Sequence, residues 1–164
     1  MNLYDRICIT VTQALPEAAH GLLLRTAVAV PFFLSGRTKV DGLITVTPTT
    51  HYLFAEEYRV PLLPADLAAY MATYAEHILP ALLVFGLLTR PAALGLIAMT
   101  LVIQLFVIPT GWPTHLLWLA PLVYVLARGP GDWSLDRLLG LERRGSPGIS
   151  GLSSLNPHPS SARR

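Results

Sequence analysis

The sequence is poor in the residues that carry thiol chemistry and thiolate metal sites. Cys8 is the single cysteine, so an intramolecular disulfide, a thiolate cage and a C-x-x-C redox pair are all excluded. Histidines 20, 51, 77 and 115 are scattered without the short spacing that metal ligands usually show, so we expect no preformed metal site. Any redox chemistry therefore has to use a bound cofactor or a partner protein.

Charge is also scarce. Only 13% of the residues are charged and 52% are hydrophobic, whereas soluble domains are about 25% charged. This composition is typical of a membrane domain. The sequence has no basic stripe with interleaved aromatic residues, which argues against a nucleic-acid partner.

Long apolar runs take the place of charge. The first three are about the length that crosses a bilayer, which is roughly 20 residues, and the fourth is short. The sequence therefore predicts an all-α fold, a four-helix transmembrane bundle with short interfacial helices. More arginines fall on the side that would hold both termini, which places the termini in the cytoplasm. The predicted spans cover residues 18–38, 66–88, 92–108 and 114–128.

The remaining segments complete the predicted organisation. Residues 1–17 are expected to form an interfacial N-terminal segment, because their apolar residues fall at helical spacing. Residues 18–144 form the membrane domain, and the Gly-, Ser- and Pro-rich residues 145–164 form a disordered tail. The long connection over residues 40–65 is either a lid or docking surface, or a simple membrane-hugging connector.

Two ionisable residues lie inside predicted spans. Glu76 is near the middle of the second span and Arg25 is within the first, where an unpaired charge costs about 2.5–3.5 kcal/mol. The sequence therefore predicts a buried Arg25–Glu76 ion pair. Such a pair either serves only to hold a kinked helix in place or forms part of a site.

Polar residues from three spans are expected at one depth. At about 1.5 Å per residue, Glu76, Gln104 and His115 lie nearly level, and Arg25 lies about 9 Å closer to the cytoplasm. We interpret this level as a ligand site, although Gln104 alone often only links helices. Lys39 is expected at the mouth of the site, unless it is a snorkelling residue at the end of the helix. The predicted ligand-binding residues are Arg25, Lys39, Glu76, Gln104, His115 and Trp118.

Several segments in order resemble the DoxX family of small bacterial membrane proteins. The stretch EHILPALLVFGLLTR matches the family pattern E-x(3)-P-x-L-L-x(2)-G-L-x-T-R. The resemblance extends over roughly residues 20–137 and implies a four-helix bundle in the bacterial cytoplasmic membrane. The matching segments are Arg25–Lys39, Leu53–Leu63, Glu76–Arg90, Val102–Trp118 and Gly129–Asp136.

The resemblance also implies a functional context. The family takes its name from a subunit of an archaeal thiosulfate:quinone oxidoreductase, and other members are associated with oxidative-stress complexes. A subgroup of the family that this chain resembles is encoded beside copper-binding modified peptides and their iron-dependent maturation enzymes. Without a cysteine pair, a thiol mechanism does not carry over to this chain.

Two hypotheses follow. In the first, the protein is a redox-linked membrane subunit, part of a quinone-linked oxidoreductase, that holds a quinone-like molecule. Arg25, Gln104 or His115 would donate hydrogen bonds to its carbonyls, and Glu76 or His115 would relay protons. In the second, it is a non-catalytic component of a copper or oxidative-stress response system, which anchors a complex or passes a peptide or metal. Protein partners are expected in both cases, together with the lipid bilayer.

Overall fold

The protein is a bundle of four long helices in a computed structural model that describes residues 2, 5, 17–58 and 60–142. The expected N-terminal interfacial segment is almost wholly outside the described residues, and the expected tail is entirely outside them. Successive long helices run in opposite directions and pack side by side. Their bounds are Glu17–Arg37 (α1), Ala65–Phe85 (α3), Thr89–Val102 (α4) and Trp112–Arg128 (α5).

The surface of the bundle is apolar and its interior contains polar groups. Leu23, Leu34 and Leu117 are more than half exposed, whereas Arg25 and Thr100 are fully buried. The buried threonine is satisfied locally, because Thr100 Oγ1 donates to the Leu96 carbonyl at 2.7 Å. A large apolar surface around an interior that holds hydrogen-bonded polar side chains suits a lipid environment rather than water.

Three helical segments are long and apolar enough to cross a membrane: Ala18–Arg37, Ala65–Phe85 and Thr89–Val107. The third is α4 together with a π-helical turn, Ile103–Val107, that continues it. The fourth helix, α5, has 17 residues. The predicted boundaries therefore agree with the structure within a few residues, and mostly helical architecture with several membrane helices is confirmed.

Hydrogen bonds around Arg25 and Asp136 join α1, the turn between α3 and α4, and the segment after α5. This hydrogen-bonded junction is called the knot below. Arg25 is fully buried there, and its Nη1 donates to the carbonyls of Leu83 at 2.9 Å and Val84 at 3.1 Å. Its Nη2 donates to the Trp133 carbonyl, and its Nε donates to the Gly21 carbonyl at 3.2 Å. Arg25 thus satisfies the Val84 carbonyl at the end of α3 and gives the Leu83 carbonyl, which also accepts from Gly86 N at 3.1 Å, a second donor.

Asp136 completes this knot at the start of α4. Its carboxylate accepts from the backbone N–H groups of Leu88 at 2.7 Å and Thr89 at 2.8 Å, where a negative charge is favourable at a helix N-terminus. Asp136 belongs to a short helix, α6 (Leu135–Leu138). Ser134 caps α6, because its Oγ accepts from Arg137 N.

The connection between α1 and α3 is folded. A two-stranded hairpin pairs β1 (Val40–Asp41) with β2 (Thr45–Val46). Thr47 then caps a short helix, α2 (Pro48–Leu53), by accepting from Thr50 N. A π-helical turn, Phe54–Tyr58, follows α2, and the described residues 40–58 and 60–64 together are called the lid below.

Candidate functional site

An apolar cavity of about 320 Å³ lies between the helices and beneath the lid. Phe54, Tyr58, Val60 and Leu63 of the lid form one part of its wall. The lid therefore contributes part of the wall of this partly open cavity. The remaining wall comes from all four long helices and the π-helical turn after α4, through Pro31, Phe32, Ser35, Lys39, Ala68, Met71, Ala72, Ala75, Glu76, Met99, Val102, Ile103, Val107, Ile108, His115 and Trp118.

One ion pair stands on this wall. Lys39 Nζ donates to Glu76 Oε2 at 2.6 Å, with side-chain exposures of 12% and 5%. Lys39 Nζ also donates to Ser35 Oγ at 2.9 Å and to the Ser35 carbonyl at 3.3 Å. These three contacts occupy all the N–H donors of the ammonium. The predicted Arg25–Glu76 pair is therefore wrong: Lys39 neutralises Glu76, and carbonyls satisfy Arg25.

A close approach of α1 and α3 explains how Lys39 reaches Glu76. A Cβ atom at Gly36 would lie 2.9 Å from His77 Cε1 and 3.1 Å from Glu76 Cβ, so only a glycine fits at this spacing without a shift. His77 Nδ1 lies 2.7 Å from the Thr73 carbonyl. Because a carbonyl only accepts, Nδ1 carries the hydrogen and donates it.

The second polar feature of the wall is His115, which is 4% exposed. Its Nδ1 lies 2.6 Å from Gln104 Oε1. Gln104 in turn donates from Nε2 to the Pro109 carbonyl at 2.6 Å. Gln104 does not line the cavity; it stands behind His115 and holds the ring.

Aromatic rings surround His115. The ring centroid of Trp118 lies 5.2 Å from that of His115 and 5.0 Å from that of Phe32.

Tyr58 of the lid is a further polar residue of the wall. Burial raises the pKa of the Tyr58 phenol, and the negative charges of Glu57 and Glu76 raise it further. Tyr58 therefore keeps its hydroxyl hydrogen at neutral pH.

Both π-helical turns contribute to this cavity. Phe54 and Tyr58 belong to the first, and Ile103 and Val107 belong to the second. A π-helical turn costs regular hydrogen bonding and occurs frequently at functional sites. In the second turn, Ile108 N donates to the Ile103 carbonyl at 2.8 Å, which places Gln104 within reach of Pro109 and His115.

The structure brings together four of the six predicted site residues. Lys39, Glu76, His115 and Trp118 line one cavity, and Gln104 contacts it through His115. Arg25 lies in the knot instead, because its donors are committed to carbonyls at the end of α3.

Sequence reasoning missed most of this wall, including the polar or aromatic residues Ser35, Phe54 and Tyr58. Ser35 precedes Lys39 by one helical turn and was detectable as its nearest polar neighbour. Phe54 and Tyr58 had no such signal, because the folded path of the lid depends on tertiary contacts. Within the described part of the chain, no cluster of three His, Cys, Asp or Glu residues is placed to hold a metal ion.

This architecture defines a multi-pass helical membrane protein with a covered internal cavity. The chain belongs to the DoxX family, whose sequence model matches residues 20–109. It is also 34% identical over 143 residues to an uncharacterized protein of Haemophilus influenzae, an alignment that covers 77% of this chain and 87% of that protein. No solved structure matches the chain. The family match includes α1, the lid, α3 and α4, whereas His115 and Trp118 follow it.

Proposed function

We propose that this protein is a redox-linked membrane subunit that holds a quinone-like molecule in the covered cavity. The observation that carries the proposal is the wall itself, which is apolar except for the Lys39–Glu76 pair, Ser35, Tyr58 and His115. Ligand sites of this type bury a ring in apolar surface and orient it with a few polar groups.

The aromatic residues supply the slot for the ring. The ring centroids of Phe32 and Trp118 lie 5.0 Å apart, and both residues border the cavity, as His115 does. A flat ring would contact these side chains through offset or edge-on packing. Its oxygens would then reach the polar part of the wall.

Proton transfer is the second requirement of quinone chemistry. Reduction of a quinone takes up protons as well as electrons, and Glu76 and His115 are titratable groups on this wall that can exchange them. The electrons would come from a partner, since the single Cys8 cannot form a redox pair. A subunit role in a larger complex follows from this requirement.

The proposed setting is the bacterial cytoplasmic membrane, with four spans and both termini in the cytoplasm. At about 1.5 Å per residue, α5 is somewhat shorter than a typical span, but its outer face is apolar, with Leu116 and Leu117 exposed. The lid would then lie at the outer membrane surface, and the knot around Arg25 would lie at the cytoplasmic surface.

Organic extraction of protein purified in mild detergent tests this function. We expect a quinone in near-stoichiometric amount, identified by chromatography and by its change in ultraviolet absorbance on borohydride reduction. His115→Phe, which keeps the ring volume and removes its nitrogens, should lose most of it. A protein that carries no quinone, and whose deletion changes only copper tolerance, would instead support the non-catalytic stress-response component.

A further inference from the structure

The hydrogen-bond chain Pro109–Gln104–His115 fixes where the hydrogen of the His115 ring lies. The Pro109 carbonyl can only accept, so the Gln104 group that faces it at 2.6 Å must be the amide N–H₂. Gln104 Oε1 then faces His115 Nδ1 at 2.6 Å. Because this oxygen can only accept, Nδ1 carries the hydrogen.

The other ring nitrogen is consequently an acceptor when the ring is neutral. Among the residues that the structure describes, none makes a hydrogen bond with His115 Nε2, while the ring borders the cavity. Gly111 leaves space at this edge of the ring, since a Cβ there would lie 2.7 Å from Cε1 and 3.1 Å from Nε2. A ligand that reaches this edge of the ring would therefore meet a lone pair.

The Lys39–Glu76 pair also presents a hydrogen-bond acceptor. The ammonium of Lys39 has its donors committed to Glu76 and Ser35. What remains toward the cavity is carboxylate oxygen of Glu76, which is an acceptor. The Tyr58 hydroxyl can donate or accept, and the Trp118 indole N–H is a donor on the same wall.

From these contacts we infer that the cavity selects a ligand bearing aromatic hydroxyl groups, and that Gln104 is the positioning residue that sets this preference. The inference rests on the proposed function and deepens it: the form bound more tightly is the hydroquinone rather than the quinone. A quinone carbonyl placed against His115 Nε2 would set one acceptor against another, whereas a hydroquinone O–H would donate to it.

The test compares three probes on purified full-length protein in detergent: a decyl-substituted benzoquinone, its hydroquinone under anaerobic conditions, and the dimethyl ether of that hydroquinone. Affinity is measured by quenching of tryptophan fluorescence. We expect the hydroquinone to bind at least about tenfold more tightly than the other two, as one mismatched hydrogen bond would produce. In Gln104→Leu, where the ring is free to change tautomer, the ratio should fall to about threefold or less.

A second measurement keeps the inference testable if Gln104→Leu does not fold. Ring-¹⁵N histidine NMR of the wild type, assigned with His115→Phe, should show a protonated Nδ1 and an unprotonated Nε2 for neutral His115. The opposite tautomer would overturn the inference.

The binding outcomes separate the inference from the proposed function. If the quinone binds as tightly as the hydroquinone or more tightly, the hydroxyl preference is wrong. The proposed function, a site for a quinone-like molecule, would be unaffected by that result. Failure of all three probes to bind would overturn both.

Discussion

The ammonium of Lys39 lies 2.6 Å from the carboxylate of Glu76 and joins the segment after α1 to the middle of α3. Both side chains are almost buried, so each would be an uncompensated charge without the other. Breaking a buried pair by removing one partner typically costs about 3–5 kcal/mol.

This pair should behave as a coupled unit. We expect Lys39→Met and Glu76→Leu each to lower the free energy of unfolding by about 3 kcal/mol or more, and the double variant to recover part of that loss. Unfolding in mixed micelles measures both. Arg128→Met, at an exposed position at the end of α5, is the matched control and should change stability little. Simple additivity of the two single changes would show that the residues are not coupled.

The knot predicts a severe effect at Gly86. Its φ of +67° is in the left-handed region, and a Cβ there would lie 2.3 Å from Arg25 Nη1 and 2.6 Å from Ser134 Cβ. Gly140 has a similar φ of +69° with open space around it. Gly140→Ala therefore reports the backbone strain alone, about 1 kcal/mol. Gly86→Ala should cost about 2 kcal/mol more, because the clash is added; equal losses in the two variants would contradict this packing.

Arg25 should be important for folding but not for ligand binding. Arg25→Met leaves the carbonyls of Val84 and Trp133 without the donor that Arg25 supplies, and the Leu83 carbonyl keeps only Gly86 N–H, so we expect a clear drop in melting temperature. The folded fraction, isolated by size-exclusion chromatography, should carry as much extractable ligand per protein as the wild type. Selective loss of ligand from well-folded Arg25→Met would show that Arg25 is part of the ligand site.

The proposed orientation is open to a labelling test. In a Cys8→Ser background, Leu43→Cys places a thiol on the exposed turn of the lid hairpin, and Ser150→Cys places one near the C-terminus. An impermeant maleimide added to spheroplasts should label the first and not the second. After lysis both should react, and labelling of Ser150→Cys before lysis would refute cytoplasmic termini.

The helices and their order could be read from the sequence because apolar runs of membrane length leave few alternatives. The level of Glu76 and His115 followed from counting residues along those helices. The partner of Glu76 could not be found in this way. Arg25 lies in α1 and Lys39 lies just beyond its end, and only the register between α1 and α3, set by close contact at Gly36, decides which cation reaches the carboxylate.

Other parts of the site depend on irregular backbone. The lid contains a hairpin, a short helix and a π-helical turn, and its path over the cavity is decided by contacts with α3 that no local pattern encodes. Gln104 was expected as a polar residue of the third span, and its position behind His115 depends on the π-helical turn Ile103–Val107. A regular helix would turn this side chain elsewhere.

The most direct test of the cavity as a ligand site is to fill it without touching its polar groups. Ala75 lines the cavity, whereas Ala98 is exposed on the outer face of α4, so Ala75→Phe and Ala98→Phe add the same volume inside and outside. The measurement is the amount of quinone extracted per folded protein, purified from the same membranes in the same detergent. We predict that Ala98→Phe retains the wild-type amount and that Ala75→Phe retains less than about a tenth of it, the loss expected when overpacking opposes binding by more than about 1.4 kcal/mol. Equal retention in the two variants would show that the quinone is carried by the micelle or the outer surface, and would contradict the cavity as its site.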